Sequence, residues 1–283
     1  MVMSNYGFES PTFVACRQNW ASYLANFPSI PSYFFRETQS TQSNIVESNG
    51  YDHLIYVNPN DYPLEPKSSY GRDNKWTVLE TQRTWKRFVT QLEFVISNHP
   101  DHWVIYVNIT AFLSLTALNR ILPALPDKGV YAGWPHLLRS DNLLYHSGSG
   151  IIYSPDIARL LLTRLNEYSF SGLEAGDIVW GKLLHDIPRS IIPFAQVTPY
   201  DTGSSDLVGQ LGHACRYLDK GHYLFRIKNT SDTLPRELID PQLQMYIMLE
   251  SLRDLESRSR LHLSLTINAH NQVRLGQGIT VIG

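Results

Sequence analysis

The chain is short of cysteine, of net charge and of long apolar runs, and each shortage removes a class of protein. Among 283 residues only Cys16 and Cys215 are cysteines. They lie far apart without metal-ligand spacing, so neither a disulfide framework nor a cysteine metal site organises the fold. A formal net charge of -2, from 24 basic and 26 acidic residues, leaves no basic field to hold a nucleic-acid backbone. No stretch approaches the roughly twenty apolar residues of a membrane span. Residues 1–10 lack the basic and apolar regions of a secretion signal, and no repeat or low-complexity tract is present. What remains is 43% apolar and 12% aromatic residues, an ordinary globular composition in a chain long enough for a large core.

Hydrophobic spacing then predicts an alternation of helices and strands. Thr12 to Leu24 reads as a helix and Ser32 to Arg36 as a buried strand. Glu37 to Gly50 is polar and turn-like, Tyr51 to Val57 is a strand, and Pro59 to Asn74 is a long Pro/Ser/Gly loop. Trp76, Leu79, Trp85, Phe88, Leu92 and Val95 recur at helical spacing within Lys75 to Asn98. Trp103 to Val107 is continuously apolar, as in a strand covered on both faces. Leu113 to Leu122 is a helix stopped before Pro123. Gly129 to Trp134 and His146 to Tyr153 are strands, followed by a helix from Pro155 to Tyr168. Glu237 to Arg258 is a helix, and Leu261 to Ile267 and Val273 to Ile282 alternate as a C-terminal hairpin does. This order is that of one mainly parallel α/β sheet with helices on both faces.

The densest chemistry lies between Tyr145 and Asp186. Ser147-Gly148-Ser149-Gly150 has no bulky side chain and lets a backbone approach another group closely. Ser154 before Pro155 and Asp156 is a helix start with a capping hydroxyl. Asp177 opens a second helical pattern with Ile178, Gly181, Leu184 and Ile187 in register, which puts its carboxylate at a helix N-terminus. A glycine-lined wall and, one helix later, an acid at a helix mouth are what a pocket for a polar substrate is built from.

These segments carry a resemblance. Ser147-Gly148-Ser149-Gly150-Ile151-Ile152-Tyr153-Ser154, then Glu174-Ala175-Gly176-Asp177-Ile178 before a helix containing Gly181, resembles the acceptor-side half of the fringe and β1,3-galactosyltransferase-like enzymes, which have the GT-A glycosyltransferase fold. Arg17-Gln18-Asn19-Trp20 is similar to that family's early helix, and Ser32 to Glu37 to the strand after it. Tyr51 to Ile55 with Asn74 to Phe88, and His102 to Val107, continue the match in order over about the first two-thirds of the chain. The resemblance implies a single domain over 1–283: a nucleotide-sugar half at 1–125, an acceptor half at 126–200 and an extension at 201–283. One departure stands out. Where metal-dependent members place acids that hold a divalent cation, this chain reads Asn108-Ile109-Thr110, and an amide and a hydroxyl are poor ligands for such an ion.

The resemblance thus implies an inverting, metal-independent transferase without a cofactor. It moves a sugar from a nucleotide-sugar, by expectation a UDP-sugar, to a glycan hydroxyl. Asp177 is the expected general base; a helix-capping aspartate is the plainer reading. Glu174 could substitute for Asp177 as the base, could hydrogen-bond the acceptor, or could be a solvated loop charge. Asn108 and Thr110 fall on the nucleotide side, and Ser147, Gly148 and Ser149 line the sugar site or serve a tight crossover. His213, Arg216, Lys220, His222, Arg226 and Lys228, interleaved with Tyr217, Tyr223 and Phe225, form a late basic cluster. From it His213, Arg226 and Lys228 are candidates for diphosphate contact. The 16 Tyr and 6 Trp include enough rings to stack on sugars, while core packing accounts for most of them. The rival reading is a non-catalytic relative, a chaperone or glycan-binding protein, and Asn108-Ile109-Thr110 fits that equally. No nucleic acid and no membrane span are expected. The setting is the cytoplasm of a bacterium or a virus-infected host, which the start-like Met1 favours, or a trimmed Golgi-lumenal domain.

Overall fold

The computed structural model describes residues 2–7, 11–38, 45–49, 52–56, 78–169, 174–191, 195–197, 207–227, 236–259, 261–262, 265–267, 273–275 and 280–281. The chain divides into two compact units that alternate along the sequence. Met1–Glu9, Ile30–Ile109 and Leu125–Pro193 make the first; Ser10–Ser29, Thr110–Ala124 and Phe194–Gly283 make the second.

The first unit is built on strands β1 (Val2–Gly7), β2 (Ser32–Thr38), β3 (Ile45–Asn49), β4 (Asp52–Tyr56), β5 (Val104–Asn108), β7 (Tyr131–Leu138), β8 (Leu143–Tyr153) and β9 (Arg189–Ile191), in the spatial order β3-β4-β2-β1-β5-β8-β7-β9. Pairings β4–β2, β2–β1, β1–β5 and β7–β9 are parallel, whereas β3–β4, β5–β8 and β8–β7 are antiparallel. The sheet is therefore mixed. β8 follows β7 through a short turn at Asn142, whose φ of 48° is left-handed, and such a turn can only return the chain antiparallel. Two strands differ from the sequence expectation. β1 comes from a segment too polar to show strand periodicity, yet it sits between β2 and β5. β3 comes from the stretch expected to be turn-like.

Helices α2 (Val78–Asn98), α4 (Pro155–Glu167) and α5 (Gly176–Leu183) share one core cluster with these strands. Phe88 and Leu92 of α2, Tyr106 of β5, Tyr153 of β8, Leu161 of α4 and Trp180 of α5 all belong to it. The Phe88 and Trp180 rings stack with centroids 3.8 Å apart, and Tyr106 stands edge-on to Trp180 at 5.4 Å. Ser154 occupies the cap of α4, but its hydroxyl accepts no capping hydrogen bond from a backbone amide of that helix. Instead it donates to Asp156 Oδ1 at 2.6 Å and accepts from the Val130 amide at 2.9 Å. The Asp156 carboxylate in turn accepts from the Gly129 amide, so the cap residues tie the end of β8 to the start of β7.

The second unit contains α1 (Pro11–Leu24), β6 (Ala111–Leu113), α3 (Leu115–Ile121), β10 (Ala195–Val197), α6 (Leu207–Asp219), β11 (Leu224–Ile227) and α7 (Arg236–Ser259). β10, β11 and β6 form a small sheet. Near the C-terminus, Leu265–Ile267 pairs antiparallel with Val273–Leu275, and Leu261–His262 with Thr280–Val281. Trp20, Tyr23 and Phe112 pack as a buried aromatic cluster, with Phe112 to Tyr23 at 4.9 Å. A buried phenol must be hydrogen-bonded or costs free energy. Here Tyr23 Oη accepts from the Leu115 amide and lies 3.5 Å from Ser251 Oγ, which bonds Ser114 Oγ at 2.8 Å. Burial pushes the Tyr23 phenol up to about 12. Pro241 lies inside α7, and its carbonyl accepts from Asn19 Nδ2 of α1.

Gly181 marks the contact between α5 and β8. A Cβ built there would lie 2.4 Å from Tyr145 Cβ and 3.2 Å from Tyr145 Cα, closer than atoms pack. Gly181→Ala should gain about 1 kcal/mol of helix propensity and lose more to overpacking, roughly 1–3 kcal/mol. The expected outcome is a lower urea midpoint and Tm. An unchanged or raised midpoint would show that α5 is free to move off the strand.

Candidate functional site

The first unit gathers several of the expected site residues at one edge of its sheet. Parallel strands β1 and β5 end together, with Asn5 opposite Asn108, and ligands of open α/β sheets bind at such carboxyl ends. Next to β5, the β8 partner of Val107 is Gly150. On the other side the β7–β8 register jumps: Gly133 faces Ile151, but Pro135 faces His146. One β7 residue, Trp134, therefore stands against four on β8, Ser147 to Gly150. This excursion withdraws the Ser-Gly-Ser backbone from the β7 ladder, and its amides must bond elsewhere.

They do so locally and to Asp177. Ser147 Oγ accepts from the Ser149 amide at 3.3 Å and donates to Ser149 Oγ at 3.0 Å; both serines are buried. The Gly148 N–H donates to Asp177 Oδ2 at 2.9 Å. Asp177 is the second residue of α5, whose cap is Ala175, so it is not the capping residue. Its Oδ1 accepts from the Ile178 amide at 3.1 Å. Ile178, Val179, Gly181 and Leu184 are buried, so the apolar side of this short helix faces the core and its acid stands half-buried at the first turn.

Sequence reasoning passed over the wall behind that acid. Burial lifts the Tyr106 phenol to about 12; Arg87 pulls the other way and the Asp177 charge adds to the rise. Tyr153 is raised well above its ordinary range by burial, with Tyr131, Tyr106 and Asp177 contributing. The Tyr153 hydroxyl and Trp180 Nε1 are buried and find no hydrogen-bond partner among the described residues. Arg87, 7% exposed, donates to Thr84 Oγ1. Tyr106 and Tyr153 fall in segments read as strands, and only the fold shows that they and Arg87 are buried.

Other candidates have different settings. Glu174 pairs with Lys182 Nζ, which also meets Asp141 Oδ2 at 2.9 Å. The hydrogen bonds to Glu174 and Asp141 hold the Lys182 ammonium above its ordinary range. Asn108 is exposed and ends β5. Thr110, 7% exposed, begins the Thr110–Ala124 segment of the second unit, to which His213 and Arg226 also belong. His213 lies on α6 against the Tyr217 ring, and Arg226 is half-buried on β11. Lys228 lies outside the described residues. The Asn108-Ile109-Thr110 triplet offers an exposed amide, a buried isoleucine and a buried hydroxyl. That donor set does not fit a hard divalent cation. Among the described residues no group of three His, Cys, Asp or Glu side chains could hold a metal, and no helix is long and apolar enough to cross a membrane.

No family model matches the chain, and no curated protein does. The solved structures it is similar to include three of glycosyltransferases. A glycosyltransferase involved in glycosylation of the major capsid of PBCV-1 aligns over 86% of this chain and 98% of its own, at 11% identity and a TM-score of 0.40. The galactosyltransferase LgtC, in complex with donor and acceptor sugar analogues, aligns over 87% and 94%, at 12% identity and a TM-score of 0.45. An active-site variant of LgtC aligns over 70% and 75%, at 13% identity and a TM-score of 0.40. These are likenesses at a level that assigns this chain neither family nor chemistry.

Lys182, Glu174 and Asp141 are each about one-third exposed. Such a pair contributes about 1 kcal/mol or less and is screened by salt. Glu174→Gln should therefore lower stability by no more than that, with the difference shrinking in 1 M NaCl. A loss of several kcal/mol in urea titration would show that Glu174 does more than pair with Lys182.

Proposed function

We propose that the chain is a glycosyltransferase that moves a sugar from a nucleotide-sugar, a UDP-sugar by preference, to a carbohydrate hydroxyl with inversion and without a divalent metal. The observation that carries this reading is the Asp177 carboxylate, held at the first turn of α5 against the glycine backbone of the β8 excursion. Two backbone donors and the positive end of a helix favour the ionised form, which a base needs. In the reaction the acceptor oxygen attacks the anomeric carbon, its proton passes to Asp177, and the bond to the diphosphate oxygen breaks with its electron pair. Asn108 and Thr110 are proposed donor contacts, and Ser147 and Ser149 shape the sugar site. His213, Arg226 and Lys228 are the proposed cations for the departing diphosphate.

The rival reading, a non-catalytic glycan-binding relative, draws on Asn108-Ile109-Thr110, since nothing there holds a metal. Metal independence separates the two. In a hydrolysis screen of nucleotide-sugars, turnover should survive excess EDTA and gain little from manganese. Complete, manganese-reversible loss in EDTA would overturn metal independence. Absence of turnover with every donor would favour the binding protein.

Asp177→Asn keeps an oxygen for the Gly148 amide, so fold and UDP affinity should stay nearly unchanged. Turnover should fall roughly a hundred- to ten-thousand-fold. Normal turnover with Asn would remove Asp177 from the mechanism, and lost UDP binding in a folded variant would place it on the donor side.

A further inference from the structure

Gly148 is in a different position from the other small residues of the β8 excursion. Its φ is not among the left-handed ones, which among the described glycines are those of Gly129 and Gly221, so alanine could adopt the same backbone. Space is what presses on a side chain here: an added methyl group would push the Asp177 carboxylate aside by a few tenths of an ångström. A Cβ at Gly148 would find its three nearest atoms all in Asp177: Oδ2 at 3.3 Å, Cβ at 3.4 Å and Cγ at 3.6 Å. The same glycine donates its N–H to that Oδ2 at 2.9 Å. Backbone and carboxylate therefore meet through one hydrogen bond and one close van der Waals surface, so a methyl group at Gly148 would displace the carboxylate slightly.

We propose that Gly148 is a positioning residue that sets the direction of the Asp177 carboxylate, not primarily a residue that touches sugar; this rests on Asp177 being the base. The register jump between Gly133/Ile151 and Pro135/His146 gives the arrangement its purpose. A Gly148 amide in regular β7 pairing could not reach α5. The excursion releases it, and the absent Cβ lets the carboxylate approach until the hydrogen bond forms. With Oδ2 held by Gly148 and Oδ1 drawn to the Ile178 amide, the carboxylate plane cannot turn freely. A base works only within hydrogen-bond reach of the proton it takes, and small misplacements are costly.

The test uses hydrolysis of UDP-galactose, UDP-glucose and UDP-N-acetylglucosamine, with UDP affinity and Tm measured on the same preparations. Gly148→Ala should lower kcat about ten- to a hundred-fold, while KM and UDP affinity stay within about two-fold. In the Asp177→Asn background it should add little further loss, because two residues acting as one unit are not additive. Asp177→Glu leaves Gly148 intact but carries the charge one methylene beyond its N–H, and should be nearly as slow as Asp177→Asn. The Gly148 amide proton should also move upfield in Asp177→Asn as its charged acceptor is lost. Near-normal kcat in Gly148→Ala with a dead Asp177→Asn would overturn the inference and leave the base intact. Multiplying losses in the double variant, an active Asp177→Glu, or an amide resonance indifferent to Asp177 would each overturn it too.

Discussion

The first unit is organised around the indole of Trp180. It stacks on Phe88 of α2 at 3.8 Å and receives the edge of Tyr106 from β5, joining a two-turn helix to a long helix and a central strand. Eight residues make too short a helix to persist by propensity; α5 exists because its apolar side is buried. Asp177 is three residues before Trp180, so the same packing that stabilises the helix sets where its first turn, and the acid on it, come to rest. Gly181 allows this on the strand side, where a Cβ would lie 2.4 Å from Tyr145 Cβ.

Around that anchor the polar groups sort by burial. Lys182, Glu174 and Asp141 share an exposed ion cluster whose energetic contribution is small. Asp177 also acts on a different setting: Tyr106 and Tyr153, buried phenols whose ionisation is suppressed, feel its charge, and Tyr106 feels that of the buried Arg87 as well. A carboxylate in such surroundings interacts more strongly with its hydrogen-bond donors than it would in water. The Gly148 and Ile178 amides are thus effective restraints, and a bond of this kind is worth more here than at the rim.

The second unit is held by a different device. Its centre is a polar thread through an aromatic cluster, from the Leu115 amide to Tyr23 Oη, to Ser251 and back to Ser114. Asn19, Gln244 and the carbonyls of Ala111 and Pro241 repeat the pattern. Such networks stabilise when every member is satisfied and fix how helix and strand fit together.

The sequence alone determined most helices, because a buried stripe at 3.6-residue spacing is visible in one dimension. α1, α2, α4, α5 and α7 fall within a few residues of their expected bounds. It also determined that Asp177 stands at the start of a helix, one helix after a Ser-Gly-Ser-Gly strand, and that Asn108-Ile109-Thr110 offers no carboxylate. It could not show β1, whose polar residues are held by strands on both sides, nor α6, nor the mixed sheet, since strand direction depends on partners distant in the chain. Nor could it show that β8 leaves its ladder between Ser147 and Gly150, or that Glu174 is taken up by Lys182. Those are outcomes of register and distance. Only the folded chain decides which backbone amide is released and which acid stands close enough to accept it.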